Sequence, residues 1–172
     1  MSPVIPPSAT GVLGELSRIL WQQRQLIALL EYRLETQQRV HISGNVDRMH
    51  FAVADVEAVL DDIRRSEDVR LGVVAECAVV LGLGIGASLR ELSAAAPEPW
   101  SFVLEDHQTA LLQAVSGTEA VASANRELAN KGLGDTRRAF EHLDGGVAVT
   151  AYGRHGDRPS LALPPTLVNR DA

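Results

Sequence analysis

Along residues 12–41 the apolar positions Leu13, Leu16, Leu20, Ile27, Leu30 and Leu34 recur at alternating steps of three and four, with Gln23 and Gln37 in two of the intervening slots. Such steps line up one face of an α-helix. The segment therefore predicts a single amphipathic helix of about thirty residues, roughly 45 Å long at about 1.5 Å per residue. Ser43, Gly44 and Asn45 form a turn signal that stops it. The pattern starts again as Val46, Met49, Val53, Val56, Leu60 and Ile63. Between residues 47 and 68, seven acidic residues against three basic ones supply the solvent face of this second helix. Its stripe is interrupted over residues 66–70 and resumes at Val74, Cys77 and Leu81, which predicts a local bend or a looser pairing at the gap. Gly82, Gly84 and Gly86 end the helix.

Ser88 followed three residues later by Glu91 is a capping-box signature, so a short helix is expected up to Ala95, stopped by Pro97 and Pro99. A third long helix starts at Pro99 or Trp100 and passes through Val103, Leu104, Leu111, Val115, Val121, Ala122 and Leu128 toward Phe140 and Leu143. Its inward positions include the small or polar Ala114, Gly117, Thr118 and Asn125. Gly132 and Gly134 weaken its last third by about 1 kcal/mol each relative to alanine. Leu128, Leu133, Phe140 and Leu143 either close the bundle against the first helix or meet something outside it, and spacing alone leaves both open. After Asp144 glycine and proline replace the periodicity. The expected organisation is a flexible N-terminus over 1–11, a helical domain over 12–143 and a flexible tail over 144–172. The expected fold is all-α: an elongated antiparallel bundle or coiled coil of three long helices with a short connecting helix.

Composition supports this reading and narrows the function. The 172 residues include 22 leucines and 22 alanines but only seven aromatics, a balance suited to packed helices in one domain. A formal net charge of -6 gives no basic footprint for nucleic acid. The uncharged stretch at residues 77–89 has 13 residues and three glycines, against roughly 20 for a membrane helix. A lone Cys77 cannot form an internal disulfide, and the first ten residues carry neither a basic residue nor the apolar run of a secretory signal. A cytoplasmic chain without membrane insertion is expected.

Candidate chemistry is sparse. Gly82, Gly84 and Ala87 match a G-x-G-x-x-A dinucleotide fingerprint with Asp106 about twenty residues on, but a helical stripe precedes them where the fingerprint needs a strand. The five histidines are scattered without metal-ligand spacing, His107 reads as a surface or partly packed residue, and no metal or cofactor is expected. Cys77 falls on the apolar stripe and reads as an inert core thiol, and Trp21 and Trp100 read as packing residues.

Three stretches in this order carry a resemblance: LSRILWQQRQLIALLEYRLE at 16–35, GLGIGASLRELSAAAPEPW at 82–100, and ANRELANKGL at 124–133 with TAYGRHG at 150–156 in the tail. Over about residues 12–156 the chain resembles the FlgN family of flagellar export chaperones, in the form found in high-GC Gram-positive bacteria. The resemblance implies a cytoplasmic helical chaperone that catalyses no reaction. It would bind hook-filament junction proteins, FlgK-like and FlgL-like, prevent their premature assembly, and deliver them to the export gate. It further implies a client-binding segment comprising Asn125, Arg126, Leu128, Leu133, Arg137, Phe140 and Leu143, and a contact of Tyr152 with an FlhA-like gate protein. The alternatives are a coiled-coil scaffold or regulatory adaptor whose third helix only closes its own core and, more remotely, a nucleotide-dependent enzyme using the glycine loop.

Overall fold

The computed structural model describes residues 7–143 and is all-helical over that range, with α1 at Pro7–Ile42, α2 at Val46–Val80, α3 at Leu89–Ala95 and α4 at Trp100–Leu143. Helix α1 begins five residues before the boundary expected at 12. Proline at its first position loses no helical hydrogen bond there, because that N–H has no partner in any helix. The stretch expected as a tail, 144–172, lies outside the described residues.

The α1 seam runs as expected: Leu13, Leu16, Leu20, Gln23, Ile27, Leu30 and Leu34 are all buried. Helix α2 returns antiparallel after a turn in which Gly44 takes φ +67° and the Asn45 side chain caps the Arg48 N–H. Its buried line is Ala52, Val56, Val59, Ile63, Ser66, Arg70, Val74 and Cys77. Of the expected stripe, Val56, Ile63, Val74 and Cys77 lie on this line, whereas Val46 is 80% exposed and Val53 and Leu60 are only half-buried. Large leucines on α1 leave room opposite for alanine and valine, so the smaller residues of α2 take the centre.

Through 66–70 α2 is helical without a break, and Ser66, Glu67 and Arg70 are buried there. Arg70 donates from Nε and Nη2 to the two carboxylate oxygens of Glu67 at 2.8 and 2.6 Å, and Gln23 of α1 donates to the same carboxylate at 3.0 Å. What reads in the sequence as a gap is a polar layer that carries the seam across.

The end of α2 is a Schellman motif. Gly82, at φ +71°, donates to Val79 O at 3.2 Å, and Leu83 donates to Ala78 O at 2.8 Å. The glycines thus stop a helix, and no strand exists among the described residues to support a dinucleotide fold. The Cys77 thiol beside them is fully buried, and burial, reinforced by the Glu76 carboxylate, pushes it up to about 11. In α3 the capping box forms as expected. The Ser88 hydroxyl accepts from the Glu91 N–H at 3.2 Å, and the Ser88 N–H, donating to the Glu91 carboxylate at 2.7 Å, holds that carboxyl below its ordinary range.

Helix α3 turns the chain so that α4 docks on α1. The pairing is parallel: Trp100 lies against Gly14, Asp106 and His107 meet Arg24 and Ser17, Gly117 faces Glu31, Asn125 reaches Leu34, and Gly132 faces His41. Helix α1 is therefore the central element, with α2 on one side and α4 on the other, and α2 and α4 meet only marginally. Within the expected bundle, α4 is antiparallel to α2 alone.

His107 is more deeply packed than a surface reading allows, at 5% exposure. Arg24 Nη1, which can only donate, lies 3.4 Å from Nδ1, so the ring proton sits on Nε2 and points at Ser17 Oγ, 3.0 Å away. Burial depresses the imidazole below 6.5, with Arg24 adding to the effect and Asp106 opposing it. The unfolded chain then takes the proton more readily than the fold. Stability should be complete above about pH 6.5 and fall as the pH drops below it. Thermal melts between pH 5 and 7.5 should show this decline in the wild type and a flatter profile in His107→Gln. The depressed carboxyls of Glu15 and Glu91 titrate below 4.5, outside that window.

Candidate functional site

Among the described residues, the end of α4 is a length of helix that no other element matches. Along α4, Leu104, His107, Leu111, Val115, Thr118 and Ala122 are buried against the rest of the fold, and from Asn125 on no residue with a described side chain is fully buried. Asn125 closes the docked part: its Nδ2 donates to Leu34 O at 2.8 Å and to Gln37 Oε1 at 3.2 Å. The last register point is Gly132, whose missing Cβ would lie 3.7 Å from His41 Nε2. Since α1 ends one residue later, at Ile42, the eleven residues 133–143 overhang the α1–α2 hairpin by roughly 16 Å.

The overhang stays helical despite Gly132 and Gly134, and its apolar side chains are bare. Leu133 is 71% and Phe140 59% exposed, while Leu128 is half-buried at the base. Steps of four and three put Leu133, Arg137 and Phe140 on one face. The charges are mixed: over residues 126–143 Arg126, Lys131, Arg137 and Arg138 stand against Glu127, Asp135 and Glu141. Asp135 is itself paired with Arg138 at 2.6 Å.

Of the residues singled out from the sequence, Leu133, Arg137 and Phe140 share this overhang, and Arg126 and Leu128 stand at its base. Asn125 is committed to the α1–α4 seam. The side chain of Leu143, and all of Tyr152, lie outside the described residues.

Sequence reasoning missed two neighbours at the same end of the molecule: Ile42, at 69% exposure, and Val46, at 80%. Both flank the turn at Ser43, Gly44 and Asn45, where an apolar residue has no seam to enter, and that position was the available signal. Trp21, expected to pack, is also exposed, at 58%, whereas Trp100 is half-buried against the core as expected.

A helix with a bare apolar face, flanks of mixed charge and no neighbour among the described residues can take an amphipathic segment laid along it. Among the described residues no three His, Cys, Asp or Glu side chains come together to hold a metal ion, and no helix is long and apolar enough to cross a membrane.

No curated protein and no solved structure matches the chain. A family model described as FlgN protein does, over residues 12–160. That span takes in the α1 seam, the polar layer, the capped α3 and the whole overhang, and the chain belongs to the FlgN family.

Proposed function

We propose that this chain is a cytoplasmic flagellar export chaperone whose overhanging α4 holds hook-filament junction proteins, FlgK-like and FlgL-like, before assembly and hands them to the export gate. FlgN proteins are chaperones and not enzymes. The observation that carries the finer reading is the overhang itself: the docked part of α4 closes its own core, as an adaptor's would, but residues 133–143 extend past every described element that could cover Leu133 and Phe140. Junction proteins whose terminal helices have not yet found their assembly partners present complementary apolar faces, and helix-against-helix packing would cover both. Release has to remain possible. A segment carrying two glycines has less intrinsic helix stability, and the ordering it undergoes on contact offsets part of the interaction energy.

Titration calorimetry of the chain with its host's FlgK-like and FlgL-like proteins, each full length and without its terminal helices, tests the reading. Saturable binding to the full-length clients is expected, lost both when their terminal helices are removed and when the chaperone ends at Gly132, which preserves the docked part of α4. Absence of binding to either full-length client would leave the adaptor as the better account.

Gate delivery is assigned to Tyr152 on the resemblance of TAYGRHG. Tyr152→Ala should leave client affinity unchanged while reducing the amount of client exported from cells. An equal fall in client affinity would show that the two tasks are not divided between α4 and the tail.

A further inference from the structure

We propose that the outer face of α1 is a self-association surface on which a second copy of this chain packs through its own α1, running antiparallel. This goes beyond the client-binding reading and does not rest on it.

With α2 and α4 on two sides, α1 keeps a third face open to solvent. On it Trp21, Gln22, Gln25, Ala28, Leu29 and Tyr32 are all exposed, the two aromatic rings by 58% and 54%. They follow helical steps, Trp21, Gln25, Ala28 and Tyr32 down the middle with Gln22 and Leu29 beside them. None of these six residues is charged, and the Arg33 guanidinium lies 5.7 Å from the centre of the Tyr32 ring at one end. The charged residues within its span turn to the neighbouring helices: Arg24 to Asp106 at 3.0 Å, Arg33 to Asp55 at 3.0 Å, and Glu31 to the α4 backbone at Gly117. A central helix of an acidic chain thus shows solvent an uncharged, aromatic band.

The ends of the band identify its occupant. At the N-terminal end Glu15 pairs with Arg18 at 2.6 Å, and at the C-terminal end Glu35 pairs with Arg39 at 2.9 Å. Both pairs run acid first, base second. An antiparallel copy set so that Tyr32 of the second copy meets Trp21 also brings its Glu35 to Arg18 and its Arg39 to Glu15, within one residue of the same register. Ala28 of the second copy then meets Gln25. Two-fold symmetry repeats every one of these contacts, the hallmark of a self-complementary interface. A parallel copy in register would set Arg18 on Arg18 and Glu35 on Glu35.

The antiparallel register also fills a gap. A groove of about 440 Å³ opens between α1 and α2, with Ile19, Leu26 and Val69 in its lining and the charged Arg18, Asp62 and Arg65 also lining it, and Ser66 Oγ at its wall has no hydrogen-bond partner within the described residues. Leu29 of the second copy arrives at the level of Gln22 and Leu26, on the groove side of the strip. The band from Trp21 to Tyr32 is only about 17 Å long, short for the roughly 1,200–2,000 Å² of a stable interface. Association is therefore concentration-dependent and weaker than that of an obligate dimer.

Sedimentation equilibrium of the full chain from micromolar to millimolar concentration tests this. The mass should rise toward that of two chains. Trp21→Glu should raise the dissociation constant at least tenfold without changing helix content, since the side chain is exposed. Arg18→Glu and Glu35→Arg should each weaken the dimer by opposing like charges across the two-fold. The double variant leaves one end of the band acidic and the other basic, and should restore association. A chain that stays monomeric at every concentration overturns the proposal and leaves the face to a different partner. A dimer indifferent to Trp21→Glu, or single-variant losses that the double variant does not recover, overturns it equally.

Discussion

Replacing Glu67 by alanine should lower the stability of the fold by about 3–5 kcal/mol, the largest effect expected of any single side chain here. The carboxylate is 5% exposed and the Arg70 guanidinium 10%, so the substitution leaves a cation in the α1–α2 seam without the group that receives two of its hydrogen bonds. It also takes away the acceptor of the Gln23 amide. The loss follows from desolvation more than from the intrinsic strength of the pair: removing Glu67 takes from the buried Arg70 the carboxylate that accepts two of its hydrogen bonds, whereas removing the whole group leaves no buried cation. Replacing Gln23, Glu67 and Arg70 together by leucine or methionine should accordingly be neutral or stabilising by about 1–4 kcal/mol. Urea denaturation followed by circular dichroism measures both. A Glu67→Ala loss below about 1 kcal/mol would mean that water reaches the layer and that the pair behaves as an exposed one.

The same layer shows what could and could not be read from the sequence. The α1 seam was legible because every third or fourth residue is a large aliphatic, and the ends of α2 and α3 were legible because Gly82 and the Ser88/Glu91 pair act locally, through backbone geometry that sequence spells out directly. The burial of the polar layer went unread because periodicity counts Ser66, Glu67 and Arg70 only as missing apolar residues. Its signal lay in pairing two gaps: Gln23 and Glu67 are nearly equidistant from the turn at Ser43, Gly44 and Asn45, so an antiparallel hairpin brings them together. The α2 register was partly misplaced because α2 offers more aliphatic positions than the seam admits, and the leucines opposite select Ala52, Val56 and Val59 over Val53 and Leu60. That α4 docks on α1 was not legible at all, since a stripe states which face is buried and not which helix buries it. Of the candidate site, Leu133, Arg137 and Phe140 could be named, but their exposure depends on where α1 stops relative to α4, a fact of tertiary register.

That register yields the second large expectation. Leu133→Asp combined with Phe140→Asp should weaken binding of the FlgK-like and FlgL-like clients at least about a hundredfold, taking each side chain as an anchor worth about 2 kcal/mol and allowing for incomplete additivity. Stability should change by no more than about 0.5 kcal/mol, because both side chains already face solvent and no part of the core leans on them. A core substitution such as Leu111→Asp would also abolish binding, but only by unfolding α4 from α1, so unchanged melting of the double variant is what assigns the loss to the surface. Trp21→Glu supplies the opposite control. It alters the α1 face at the far side of the central helix, and should leave client affinity intact whatever it does to self-association. If the double variant bound its clients normally, the bare apolar face would have to serve something other than the junction proteins. If Trp21→Glu also lost client binding, the two faces would belong to a single extended site, with the client lying across α1 as well as along α4.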